Sequence, residues 1–323
     1  MNTGVKITAF AAAVAATFAA SYGLGAALDP ASPAPAPSAH AAGHDRADSG
    51  SRGAHGGHSD ETPAGLQISE AGYRLDLRTA RIPADETSEL RFVIRDRDGR
   101  PVDDYRTEHG KELHLILASR DLVTYRHLHP TRAADGTWST RVSLPAAGTY
   151  RLFADFTPAA EDATDLTLGA DLAVSGTYAA PALPEPAATT TVDGYTVTLS
   201  GGLRPGKAGE LTLTVSRNGR PVTDLEPYLG AYGHLVALRA GDLAYLHVHP
   251  NGEPGDGRTT PGPEIRFTAT APTVGTYRLF LDFQHDGTVR TAAFTVRNDA
   301  PEPAATPTAP DGTGKEHGGG HQH

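Results

Sequence analysis

From residue 65 to residue 298 apolar and polar side chains alternate in short runs, and the runs end at Gly, Pro, Asp-Gly or Asn-Gly. Residues 73–78 (YRLDLR), 90–96 (LRFVIRD), 137–144 (TWSTRVSL), 195–200 (YTVTLS) and 211–216 (LTLTVS) have the period of two that turns one face of a strand to a core and the other to water. No stretch here carries the period of about 3.6 residues that marks an amphipathic helix. The expectation is an all-β protein built from antiparallel β-sandwiches of immunoglobulin-like or cupredoxin-like type.

The pattern occurs twice. Asp98-Gly99-Arg100-Pro101-Val102 returns as Asn218-Gly219-Arg220-Pro221-Val222, an offset of 120, and GTYRLFADF at 148–156 returns as GTYRLFLDF at 275–283. Two tandem sandwiches are predicted, at 65–178 and 191–298, joined by a Pro/Ala-rich linker at 179–190. Residues 1–28 hold one lysine, Lys6, and then an uncharged Ala-rich run. They read as an export segment, either a cleaved signal peptide or a retained N-terminal membrane anchor, which points to the extracellular space or cell envelope. Residues 29–64, with His40, His44, His55 and His58, and residues 299–323, with His317, His321 and His323, have compositions that bury too little apolar surface to fold. Both read as disordered, His-rich tails whose imidazoles are weak metal ligands or solvated spacers.

Two stretches dominate the chemistry. Residues 114–130 (HLILASRDLVTYRHLHP) and 234–250 (HLVALRAGDLAYLHVHP) each run apolar, break at a polar or glycine-bearing pair, and run apolar again. A hairpin turning on Arg120-Asp121 or Ala240-Gly241 follows. Facing residues then sum to 241 and 481, setting His114 opposite His127 and His234 opposite His247. His129 and His249 lie two residues on, on the same face. Two three-His patches are expected, one per repeat, of the kind that leaves an open position on Zn2+ or Cu2+. The competing reading is packing. Ile116, Ala118, Val123 and Tyr125 share that face, so the histidines could edge a core and bond backbone carbonyls.

Asp155 and Asp282 interrupt the apolar strands LFADF and LFLDF, where an unpaired charge is costly. Three roles are open: orienting a ligating imidazole, acting as a fourth ligand, or bonding a loop or the nearby Arg151 and Arg278. His109 and Glu112 beside the first hairpin are additional candidates, with Glu112 set opposite His129; the second repeat has Leu229 and Tyr232 there, and adds His285 after its Asp282 strand.

Composition narrows the choice. The 323 residues include no cysteine and one methionine, the initiator, so a transition metal would rely on His, Asp or Glu. A formal charge of −10 favours cations, and no basic stripe marks a nucleic-acid surface. No phosphate loop, nucleophile elbow or Ser/His/Asp spacing is present. Catalysis reduces to one minor alternative, a metal-dependent hydrolase, for which the three-His pattern is similar to carbonic anhydrases over three residues only. Because imidazole ligates when neutral, binding is expected to weaken below about pH 6.5.

Through the HxHP hairpins and the trailing GTYRLFxDF strands the chain resembles a group of exported bacterial proteins with Ig-like repeats, described as uncharacterised secreted or heavy-metal-associated proteins. The resemblance spans about residues 65–300. It implies metal handling outside the membrane, with His114, His127, His129 and Asp155, then His234, His247, His249 and Asp282, as the carried-over positions, and it implies no established activity. The leading expectation is a non-enzymatic exported protein that binds Cu2+ or Zn2+ for buffering or for delivery to a transporter or metalloenzyme. The alternative is a structural envelope or adhesion module.

Overall fold

A computed structural model describes residues 63–298 apart from His247, and excludes the side chain of His249. The predicted export segment, almost all of the 29–64 tail and the 299–323 tail lie outside the described residues. Among those described, every regular element is a strand or isolated bridge and none is a helix, as the alternation predicts.

In the first repeat one sheet orders Ser69–Glu70, Tyr73–Leu77, Ser88–Arg95, Thr137–Val142 and Thr131–Arg132. The facing sheet orders Arg81–Pro83, Leu166–Ser175, Gly148–Pro158, His114–Ser119 and Tyr125–Leu128, with Tyr105–Arg106 also paired to Gly148–Pro158. Pairing is antiparallel apart from Arg81–Pro83 alongside Leu166–Ser175. The second repeat has Thr189–Val192, Tyr195–Gly201, Ala208–Arg217, Glu264–Thr270 and Val248–Pro250 in one sheet, with Arg220–Pro221 on Ala208–Arg217. Its facing sheet orders Tyr245–Leu246, His234–Arg239, Gly275–His285 and Thr288–Asn298. The Tyr150 hydroxyl donates to the Ala146 carbonyl at 2.9 Å, and Tyr277 does the same to Thr273 at 2.7 Å. This tyrosine corner at the start of a strand is a mark of immunoglobulin-like sandwiches.

The hairpin strands read as unbroken apolar runs because both of their faces are buried. Leu115 and Leu117 enter the first sandwich with Phe92, Trp138 and Leu152. Ile116 and Ala118 point the other way, into a cluster shared with Val236, Leu238 and Phe280 of the second repeat. Leu235 and Ala237 likewise enter the second core. The two repeats therefore pack through the sheets that carry the histidines. Tyr125 stacks on Phe280 with ring centroids 4.2 Å apart and planes 6° apart, and Phe153 meets Tyr245 at 5.6 Å.

Two expectations are corrected. The first hairpin pairs Leu115 with Leu128, Ile116 with His127 and Ala118 with Tyr125, so partners sum to 243 rather than 241. The second pairs Ala237 with Leu246 and Leu238 with Tyr245, a sum of 483 rather than 481. His127 thus faces Ile116, not His114. The cause is a wider turn: the Ser119 hydroxyl accepts the N–H groups of Val123 (3.2 Å) and Thr124 (2.9 Å), and Leu122 takes a φ of 60°. A slip of two residues keeps strand parity, so the face is unchanged. Ahead of the first strand, Tyr245 N–H donates to Ala64 O at 3.0 Å, and Gly65 N–H to Thr167 O at 2.8 Å. Second, the hairpin pairing ends at Leu246. Val248–Pro250 pairs with the opposite sheet, which sets the His249 backbone against Thr268.

Candidate metal centre between the repeats

His114 opens its strand, His127 sits across the hairpin, and His129 follows just beyond the last paired residue. One ring nitrogen from each lies within 4.8 Å of the other two. Ring centroids are 5.3 Å apart for His114–His127, 5.2 Å for His114–His129 and 4.8 Å for His127–His129. The trio predicted for the first repeat is therefore assembled, despite the shifted register.

The outer ring nitrogens decide the tautomers. His127 Nδ1–H donates to Asp282 Oδ2 at 2.9 Å, because a carboxylate only accepts. His114 Nε2–H donates to the Glu108 carbonyl at 3.3 Å. In neutral rings the remaining lone pairs sit on His114 Nδ1 and His127 Nε2, and these two atoms face each other at 3.1 Å. Two lone pairs at that distance repel unless a proton or a cation lies between them. Two nitrogens on one tetrahedral zinc, each bonded at about 2.0–2.1 Å, would be about 3.3 Å apart. His129 Nε2 is buried with no hydrogen-bond partner among the described residues.

Burial first, then the His127 charge, lowers the His114 imidazole to about 3. The same causes bring His129 down to about 4. His234 is lowered to about 4, chiefly by burial, against the opposing pull of its bond to the Tyr228 carbonyl. These rings are neutral at pH 7, the form that ligates a metal.

Each repeat builds a three-strand row. His114 lies opposite Asp155, which lies opposite Thr167; His234 lies opposite Asp282, which lies opposite Thr291. Thr291 donates to Asp282 Oδ1 at 2.6 Å, leaving Oδ2 for His127 of the other repeat. Of the roles open to Asp282, the structure therefore brings it against an imidazole as an orienting carboxylate. Asp155 accepts from Thr167 at 2.8 Å, and its pKa is raised by desolvation and then by the charge of Asp165. Neither aspartate pairs with the neighbouring arginine. Arg151 bonds Asp171 and the carbonyls of Gly65 and Leu66, while Arg278 bonds Leu122 O and Thr295.

The other candidates separate. His234, expected in a second site, joins the first cluster, with its ring 6.1 Å from His127 and 6.3 Å from His114. His109 is exposed at the rim, 5.3 Å from His234. Glu112 does not face His129; it pairs with Arg132 at 3.2 Å. His285 is built into the second sandwich between the Tyr195 hydroxyl (2.7 Å) and Asp224 (3.1 Å). Among the described residues the His114–His127–His129 trio is the only such cluster, and His247 lies outside them. The Glu108 and Tyr228 carbonyls that fix His114 and His234 left no trace in the sequence, because backbone atoms do the work and any side chain serves.

A family model described as a domain of unknown function (DUF8832) matches the chain twice, over residues 68–169 and 190–300. The chain belongs to this family. The two matches fall on the two halves of the repeat, and the family's description carries no statement of activity. No curated protein matches. Among solved structures, the chain is similar to FdeC, a broadly conserved Escherichia coli adhesin, at 18% identity over 71% of this chain and 65% of that one, TM-score 0.22. It is similar to invasin, a bacterial integrin-binding protein, at 14% identity over 71% and 40%, TM-score 0.21. A Salmonella alpha-2-macroglobulin matches at 12% identity over 74% and 15%, TM-score 0.25. The chain spans less than two thirds of each of these proteins. Superpositions this loose carry no argument, and the sandwich assignment rests on strand pairing and the tyrosine corners.

Proposed function

We propose that this chain is an exported metal-binding protein that holds Cu2+ or Zn2+ on His114, His127 and His129, for buffering or for delivery to a transporter or metalloenzyme. One observation carries the reading. The lone-pair nitrogens of His114 and His127 face each other at 3.1 Å, while their outer nitrogens are committed to Glu108 O and Asp282. The carboxylate–imidazole pair supports it, since metal-bound histidines commonly donate their other N–H to a carboxylate or carbonyl. Export rests on the Ala-rich first 28 residues. The test is calorimetric titration of the full chain with Cu2+ and Zn2+, beside His127→Ala/His129→Ala. The expected result is loss of the tightest site in the variant.

A second reading is a structural envelope or adhesion module whose histidines pack. It is favoured by the carbonyl bonds of His114 and His234 and by the approach of their rings to 6.3 Å between the repeats. Equal, weak binding by wild type and variant would select it.

A further inference from the structure

The trio comes wholly from the first repeat, and three imidazoles leave a tetrahedral cation one ligand short. The second repeat carries a further imidazole on the same contact. His234 lies directly across from Asp282 on the neighbouring strand, with both side chains on the face that meets the first repeat. Asp282 already reaches His127 from that face. His234 Nε2–H donates to the Tyr228 carbonyl at 2.8 Å, which leaves its Nδ1 lone pair free in the neutral ring. His114, its counterpart 120 residues earlier, is held the same way and turns Nδ1 toward His127. The His234 ring stands 6.1 and 6.3 Å from His127 and His114, against 4.8–5.3 Å within the trio. For His234 to ligate, its ring has to move inward from this position. His109 is a poorer donor, exposed in a loop and nearer to His234 than to His114.

We propose that His234 is the fourth ligand, so that a cation on His114, His127 and His129 is gripped by both repeats and pins them together. The proposal rests on the metal-binding reading above and adds that the centre is closed, an all-imidazole site suited to holding a cation rather than to activating water. Affinity then depends on how the two sandwiches are docked, and by linkage the cation stabilises that docking.

The experiment is X-ray absorption on the full chain loaded with one equivalent of Zn2+, with calorimetry of wild type and His234→Ala. Four imidazoles in wild type, three in the variant, and an affinity loss on the order of 100-fold are expected, at the upper end of what losing even an indirect supporting group costs. Three imidazoles and an oxygen in wild type overturn the proposal and leave the three-His reading standing, and this count needs no variant to fold. A four-imidazole count that survives His234→Ala also overturns it, assigning the position to another histidine. Indistinguishable binding by wild type and His127→Ala/His129→Ala removes the parent reading and this one together.

Discussion

His127 of the first repeat and Asp282 of the second meet across the contact between the sandwiches, Nδ1 to Oδ2 at 2.9 Å, with side chains only 7% and 3% exposed. A carboxylate this enclosed needs partners, and His127 and Thr291 are among them. The bond fixes one tautomer and aims Nε2 at His114.

Asp282→Asn keeps the size and can still accept from Thr291, but removes the charge that holds His127 Nδ1–H. Metal affinity should fall about 10- to 100-fold, as for other supporting carboxylates. Calorimetric titration decides the matter, and wild-type affinity in this variant would detach Asp282 from the centre.

The docking itself is apolar. Phe280 is 1% exposed and stacked on Tyr125. Phe280→Ala leaves a cavity at the contact and should cost about 3–5 kcal/mol, read from urea unfolding. A loss well under 1 kcal/mol would mean that the two sandwiches are not held through this stack.

Acid should destabilise the metal-free protein in a defined window. Burial holds the His114, His129 and His234 imidazoles down at about 3, 4 and 4 in the folded chain, below the usual 6.5. Between about pH 4 and 6.5 the unfolded chain binds protons that the folded chain excludes, so these groups lower stability as the pH falls through that range. Melting temperature in chelator, followed from pH 7 to pH 4, measures it; a flat profile would contradict the buried neutral cluster. The same shift moves the expected metal release below pH 6.5, because two of the proposed ligands, His114 and His129, stay neutral well below it.

Asp155 pulls the other way. Its folded pKa is raised above 3.8, so the unfolded carboxyl ionises first and stability declines as the pH climbs past about 4. Asp155→Asn should therefore exceed wild type in melting temperature near pH 7, with the gap closing toward pH 4. A constant gap at all pH values would point to packing instead.

The tyrosine corners offer a local check. Tyr150→Phe and Tyr277→Phe each remove one bond to a backbone carbonyl and should each cost about 1 kcal/mol, measured by urea unfolding.

What the sequence determined by itself was whatever depends on parity and repetition. The period of two in YRLDLR or LTLTVS names strands without reference to distant residues, and the 120-residue offset names the duplication. The shared face of His114, His127 and His129 was legible even though the register was off by two, because side-chain direction alternates residue by residue and survives an even slip. The tertiary structure decided the rest. Ser119 and Asp121 widened the turn through local bonds that a strand pattern does not encode. The meeting of Asp282 with His127, and of His234 with the first repeat's trio, depends on two sandwiches packing through Tyr125 and Phe280. Such contacts join residues 155 apart in the chain. No local period carries that information: it comes from shape and burial between two folded surfaces, which bring His234 and Asp282 of the second repeat to the first repeat's trio.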